Sequence, residues 1–287
     1  MKIVNHRLCA DDGTQVPFTR TPNQGRGGQD VAIVPTLLVM HFTAGPSLGG
    51  AVDWFSNPSA QASAHLVIGR DGSVVQCAEL NRRAWHAGAG TWRGRGDINS
   101  WSIGIEMVNW GKLVRVGTTW RTWTQAVYAG HTGDPTIDVL EAPHRNLPGA
   151  GNLGWPTYSE AQFAKALEVA QAVVAAYGIT EVIGHEDFRT DKTDPGPAFP
   201  LASFRSRVLG RDGDVAPAEA PRMVTTAVLN IRSGAGTGHA PVPGSPLPLG
   251  QAVEVTGAQD AWRQVTAILA NGNRLSGWVH GDYLRAG

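Results

Sequence analysis

The clearest hydrophobic signal lies between Val31 and His41, where Val-Ala-Ile-Val-Pro-Thr-Leu-Leu-Val-Met-His ends in a continuous apolar run. Such a run predicts a central strand buried on both faces, with His41 at its end. Ser63–Gly69 and Ser73–Cys77 are β-prone and flank Arg70-Asp71-Gly72; Asp-Gly between two such runs predicts a hairpin. Over 101–109 the alternation is clean. Ile103, Ile105 and Met107 fall on one face, and Ser102, Gly104 and Glu106 on the other. Small residues beside a lone carboxylate leave room there for a bound group.

Helical periodicity is strongest in 158–177, where Phe163, Ala166, Leu167, Ala170, Val173 and Val174 recur every three or four residues. Ser159 is the expected N-cap and Gly178 the stop. Ser47–Asn57 reads as a short helix capped by Ser47. Glu181–Gly184 reads as a strand closed by His185, and a short helix is expected near Leu201–Leu209.

Elsewhere the pattern fails. Residues 1–30 are polar and aperiodic and predict an irregular leader. Residues 81–100 form a Gly-, Trp- and Arg-rich loop, and about 110–157 is a long, weakly patterned insertion. A loop of that length in a compact domain is usually functional or disordered. These breaks place a principal domain at 31–210 and a linker at 211–221, where Asp, Ala, Glu and Pro accumulate. The short β-like runs of 222–287, broken by Gly and Pro, predict a small barrel.

Composition narrows the class. Apolar content of 42% and charged content of 17% describe an ordinary globular chain. Twenty-four basic residues balance twenty-four acidic ones, with no Lys/Arg run, which argues against nucleic acid as a partner. Cys9 and Cys77, the two cysteines, cannot make a disulfide framework or a thiolate zinc site. The opening octet Met-Lys-Ile-Val-Asn-His-Arg-Leu lacks the apolar core of a signal peptide. No run approaches the roughly 18 residues of a membrane span. The expectation is synthesis in the cytoplasm, with any export by a route that needs no signal.

Chemistry concentrates in 184–199, Gly-His-Glu-Asp-Phe-Arg-Thr-Asp-Lys-Thr-Asp-Pro-Gly-Pro-Ala-Phe. Asp194 precedes a proline and is pushed to an extended conformation. In an extended segment Lys192 and Asp194 point to the same side, and Pro195-Gly196-Pro197 stiffens the exit. A hydrolytic zinc site needs three protein ligands and an open position. His41, His185 and Asp194, at strand ends or in a stiff loop, are the candidates. Glu106 is placed to take a proton from water, and Lys192 to stabilise a developing oxyanion.

These segments, with Val39–Gly45, Ser63–Gly72, Ala84-Trp85-His86-Ala87-Gly88 and Ser102–Glu106, resemble in order the zinc-dependent N-acetylmuramoyl-L-alanine amidases. That family includes phage T7 lysozyme, AmpD-type amidases and peptidoglycan recognition proteins. The resemblance covers roughly 30–205. It implies an α/β fold with a mixed central β-sheet flanked by helices. It also implies Zn2+ on His41, His185 and Asp194, Glu106 as catalytic base and Lys192 as oxyanion stabiliser. The substrate would be peptidoglycan or a muropeptide, cut between N-acetylmuramic acid and L-alanine. The last ligand is an aspartate, as in AmpD-type members, where the phage lysozyme type has cysteine. An oxygen ligand is harder and resists oxidation. His86, Trp85 and His65 lie in matching motifs and are expected to bind substrate or support the cleft, whereas His144 sits in the insertion. A non-catalytic peptidoglycan-binding protein on this fold and a zinc peptidase acting within the stem peptide remain alternatives.

Residues 222–287 resemble a bacterial SH3-like (SH3b) domain in Val228–Gly234, Leu249–Val255, Trp262–Val265 and Gly277–Leu284. The resemblance implies a module that holds a wall hydrolase on its substrate; the alternative for Trp262 and Trp278 is a place in the barrel core, for at least one of them.

Overall fold

The computed structural model describes residues 1–27, 29–131, 138–210, 222–269 and 274–286. Contacts divide the chain into two compact units, Met1–Asp212 and Gly213–Gly287. The expected linker at 211–221 lies outside the described residues.

In the first unit β1 (Lys2–Val4) and β2 (Arg7–Cys9) pair as a hairpin, followed by β3 (Leu37–Phe42), α1 (Leu48–Ser56), β4 (Leu66–Ile68) and β5 (Val74–Gln76). Next come the short β6 (Thr91–Trp92) and β7 (Arg95–Gly96), then β8 (Ser102–Met107). Two hairpins follow, β9 (Val114–Val116) with β10 (Thr119–Arg121) and β11 (Val139–Ala142) with β12 (Leu153–Pro156). The unit closes with α2 (Glu160–Tyr177), β13 (Val182–Gly184) and α3 (Leu201–Val208). The central sheet has the order β13-β3-β8-β4-β5. Its first four strands are parallel and β5 runs antiparallel. This is a mixed α/β sheet flanked by helices.

The alternation in β8 sorts the two faces. Ile103, Ile105 and Met107 join Leu38, Met40, Leu66 and Ile68 in a core covered by Ala166, Val169, Ala170 and Val173 of α2. Ser159 caps α2 by accepting from the Gln162 N–H at 3.1 Å. Gly178, in the left-handed conformation that glycine adopts without strain, ends it. The opposite face of the sheet carries smaller clusters around Leu37, Val39 and Trp101, and around Phe55, Val67 and Val108. Between these clusters, at the carboxyl ends of the parallel strands, lies the candidate site.

Two expectations are corrected here. Residues 1–30 are not an irregular leader. Besides the β1–β2 hairpin, Leu8 is fully buried in the α2 core, and its N–H donates to the Gln76 side-chain oxygen Oε1 at 2.9 Å. The apolar anchors Ile3, Leu8 and Val16 are too widely spaced to form a period, so tertiary packing alone orders them. The insertion at 110–157 is likewise structured in its described parts. Leu113, Trp120 and Tyr128 form a small core with Trp110 and Val139. Cys9 and Cys77 are both buried and free.

The second unit is a five-stranded antiparallel sheet in the order β17-β16-β15-β14-β18. Its strands are β14 (Arg222–Thr225), β15 (Ala252–Gln259), β16 (Trp262–Ile268), β17 (Arg274–His280) and β18 (Leu284–Ala286). Ile231, Leu247, Val265 and Val279 lead its core. Neither Trp262 nor Trp278 belongs to that buried cluster; both are half-buried.

Candidate metal centre and cleft

His41 and Glu106 are register partners on the adjacent parallel strands β3 and β8, so their side chains leave the sheet on one face at one level. Gly184 of β13 pairs with Met40, which brings His185 level with His41. Asp194 returns to the same point through the loop that follows β13. Its peptide bond to Pro195 is cis, and its carbonyl accepts from the Glu186 N–H at 2.9 Å. Ligand sites form at the carboxyl ends of parallel strands because side chains from separate strands converge there.

The convergence is close. His41 Nδ1 lies 2.8 Å from Asp194 Oδ2 and 3.1 Å from His185 Nδ1, and His185 Nδ1 lies 3.0 Å from Asp194 Oδ2. All three residues are buried. Ligands about 2.0–2.2 Å from a tetrahedral zinc stand roughly 3.3 Å apart, close to the edges of this triangle. His185 Nε2 faces the Ala87 carbonyl at 3.2 Å. A carbonyl only accepts, so the proton sits on Nε2 and the Nδ1 lone pair points at an Asp194 oxygen. Two lone pairs facing each other in a buried site need a proton or a metal cation between them. The donor set therefore fits a divalent metal.

Electrostatics agree with the geometry. Burial pushes the His41 imidazole towards its neutral form, partly opposed by Asp194. For Asp194, burial disfavours charge, but His185 and His41 outweigh it and hold the carboxyl below the usual range. Glu106 behaves oppositely. Burial raises its carboxyl well above the ordinary range, the Asp194 charge adds to this, and Lys192 opposes it. Although the residue is partly open to the cleft, its Oε2 is sealed and has no hydrogen-bond partner.

A cleft of about 580 Å³ opens over the triad, lined by Glu106, Lys192, Thr193, Trp54, Trp85 and Trp123 among others. Trp54 is 54% and Trp123 64% exposed. The Trp123 indole N–H donates to the Ala44 carbonyl at 2.7 Å, so the insertion delivers an oriented aromatic face to the cleft. Trp85 is held by its indole N–H, which donates to the Gly25 carbonyl at 2.8 Å.

Of the three residues expected at the substrate, Trp85 and His86 line the cleft and His65 does not. His65 has 0% exposure. Its Nε2–H donates to the Arg82 carbonyl at 2.7 Å, and its Nδ1 accepts from the Gly104 N–H at 3.0 Å. It ties two segments together and cannot touch substrate. Burial lowers its pKa to about 4. The sign of the consequence is fixed. The unfolded chain takes up this proton near pH 6.5 and the folded chain only near 4, so stability falls as pH drops through that window. Between pH 7 and pH 5 the loss from His65 alone is about 2 kcal/mol. Hydrogen exchange of the β8 amides in chelated protein should register it, with a shallower acid slope in His65→Asn.

His144 is also a structural residue. Its Nε2 lies 2.6 Å from Glu186 Oε2, and Arg145 pairs with Asp187 at 2.6 Å. Neighbouring Asn146 places its amide Nδ2 2.8–3.1 Å from the carbonyls of Glu186, Arg189 and Lys192. The insertion thus clamps the loop that carries Lys192 and Asp194. Nothing in the sequence pattern marks Asn146, because its partners lie some forty residues away.

Comparison with known proteins gives a consistent result. Residues 31–197 match the profile of N-acetylmuramoyl-L-alanine amidases. The 1,6-anhydro-N-acetylmuramyl-L-alanine amidase AmpD of Escherichia coli K12 is 30% identical over 218 residues, which covers 69% of this chain and 96% of AmpD. N-acetylmuramoyl-L-alanine amidase A of Achromobacter lyticus is 40% identical over 178 residues, covering 62% of this chain and 85% of that protein. A crystal structure of a selenomethionine AmpD derivative aligns with a TM-score of 0.44 at 24% identity, over 72% of this chain and 99% of that one.

Proposed function

The chain belongs to the N-acetylmuramoyl-L-alanine amidase family, and from that premise we propose how its cleft works. The reaction is hydrolysis of the amide between N-acetylmuramic acid and L-alanine of the peptidoglycan stem peptide, with zinc held by His41, His185 and Asp194. One observation carries the assignment of residues. His41 Nδ1, His185 Nδ1 and Asp194 Oδ2 converge within about 3 Å at the foot of the cleft, beside a Glu106 oxygen with no partner of its own.

Zinc at that point supplies Lewis acidity and lowers the pKa of a water from 15.7 towards roughly 7. The Glu106 carboxylate accepts the proton as water attacks, and returns it to the departing alanine nitrogen. A carboxyl raised above its ordinary range suits both transfers. Lys192, which also lines the cleft, places its ammonium near the attacked carbonyl, where it opposes the negative charge that develops. The Trp54 and Trp123 faces and Trp85 receive the bulk of the glycopeptide.

The domain at 31–210 is the hydrolase, and 222–287 is a bacterial SH3-like module that keeps it at the wall. A surface pocket lined by Arg232, Trp262, His280 and Tyr283, among others, supports that role for the second unit. A tether of this kind raises the local substrate concentration without adding catalytic groups. Among the described residues no helix is long and apolar enough to cross a membrane.

Digestion of purified peptidoglycan with and without chelator, followed by mass analysis, tests this reading. The expected products are stem peptides with a free N-terminal L-alanine, formed only while metal is present. Peptides cut internally would indicate a peptidase. Intact wall that retains the protein would indicate a binding protein.

A further inference from the structure

Trp85 and His86 of the segment Ala84–Gly88 were expected at the substrate, yet the His86 ring and the Ala87 carbonyl each meet an imidazole of the metal triad. His41 Nε2 lies 3.1 Å from His86 Nδ1, and His86 Nε2 lies 3.1 Å from Ser102 Oγ. Ser102 Oγ in turn lies 2.6 Å from the Ile98 carbonyl. Every proton in this row can be assigned from its far end. The carbonyl only accepts, so the single hydroxyl proton of Ser102 points at it. Ser102 Oγ must then accept from His86 Nε2–H, which leaves His86 Nδ1 as a bare acceptor. His41 donates its Nε2–H to that acceptor. The His41 Nδ1 lone pair is therefore free and faces Asp194 and His185.

We propose that His86, set by Ser102, is a positioning residue that fixes the tautomer and tilt of the His41 ligand. The same segment orients the other imidazole, because the Ala87 carbonyl accepts from His185 Nε2 at 3.2 Å. One short stretch thus forms the outer layer of the metal centre for both histidines. Outer partners of this kind hold a ligand ring in place and raise its basicity.

The surroundings are shaped for this seat. His86 is 7% exposed, and its backbone N–H and that of Ala87 both donate to Asn99 Oδ1, at 3.1 and 2.8 Å. Its ring lies against Gly104, where a Cβ would stand 2.5 Å from His86 Cγ and 2.6 Å from Nδ1. Any larger residue at 104 would drive the ring out of the row. His65, itself locked, meets the ring edge-on at 5.6 Å between centroids.

The inference rests on the metal reading of His41, and the test separates the two. Zinc affinity of the full chain is measured by competition with a chromophoric chelator, for the parent, His86→Gln and His86→Asn. Asparagine places an acceptor oxygen where Nδ1 stood. Glutamine reaches the position of Nε2 and leaves His41 Nε2–H without a partner. His86→Gln should bind zinc roughly 10–100-fold more weakly than the parent, and His86→Asn within a factor of about 3 of it. Rescue by asparagine alone distinguishes positioning from mere packing, since asparagine leaves the larger void. Equal affinity in all three proteins, or equal loss in both variants, overturns the positioning role while the metal reading stands. A parent that binds no zinc overturns the metal reading and this inference with it.

Discussion

Glu106→Ala is expected to retain a full complement of zinc and to lose turnover by about 10²–10⁴-fold, the range for removing a positioned general base. The expectation follows from where β8 places the side chain. Glu106 is the register partner of His41, so its carboxylate rises beside the triad without joining it, and the three metal-facing atoms belong to other residues. Burial and the Asp194 charge raise its carboxyl, and Oε2 has no donor to satisfy it. An unpaired buried acceptor is a cost to the fold that substrate and water can relieve.

That cost adds a second, independent readout. A carboxyl whose folded-state pKa lies above its unfolded value stabilises the fold when protonated, and that stabilisation is lost as pH rises. In the metal-free protein, keeping this carboxyl in its buried site therefore costs stability as pH rises above the ordinary carboxylate range, a cost that Glu106→Gln removes. Chelated Glu106→Gln should unfold at higher denaturant concentration than the chelated parent at pH 7, with the gap closing in acid. Zinc content, single-turnover rate on a muropeptide and denaturant midpoint together decide the matter. Near-parent turnover in Glu106→Ala would remove Glu106 from the reaction.

Asp194→Ala is expected to lose both metal and activity. The Asp194 carboxylate is the charged member of the triad, and it stands 2.8 and 3.0 Å from the two imidazole nitrogens. Without it, two imidazoles face a buried space with no anion to balance a divalent cation. Loss of a direct ligand should weaken zinc by more than the roughly 10–100-fold typical of an outer partner. Its activity should match that of the chelated parent. Gel filtration followed by metal analysis measures the first, and the peptidoglycan digest the second. Stoichiometric zinc in Asp194→Ala would show that the ion sits elsewhere. The two variants thus dissect the site: one keeps the ion and loses the proton transfer, the other loses the ion.

Much of the fold was legible because its signals are local. The apolar run ending at His41 forms the buried β3, and the alternation over 102–107 forms a strand whose two faces separate as read. Ser47 and Ser159 cap the helices assigned to them, and Asp71-Gly72 turns the β4–β5 hairpin. Each depends on a residue and neighbours within a few positions, where sterics and hydrogen bonding leave one favourable conformation. The triad was legible for a related reason. His41 closes one apolar run, His185 closes another, and parallel strands bring such ends together.

Other features depend on partners far along the chain. Ile3 and Leu8 look like stray apolar residues until α2 packs over them. Asn146 is an unremarkable polar residue until its amide meets three carbonyls of the ligand loop. His65 and His86 occur in equally conspicuous motifs, yet one is sealed between Arg82 and Gly104, and the other stands behind His41. An imidazole has two nitrogens and one proton when neutral, so its chemical role is set by whichever acceptor claims that proton. By itself the sequence determined the central strands β3, β4, β5, β8 and β13 and the helices α1, α2 and α3. Which nitrogens converge on the Asp194 carboxylate, which histidine is sealed away from the cleft, and which distant amide holds the loop were decided only by tertiary structure, because those hydrogen-bond partners meet only once the chain has folded.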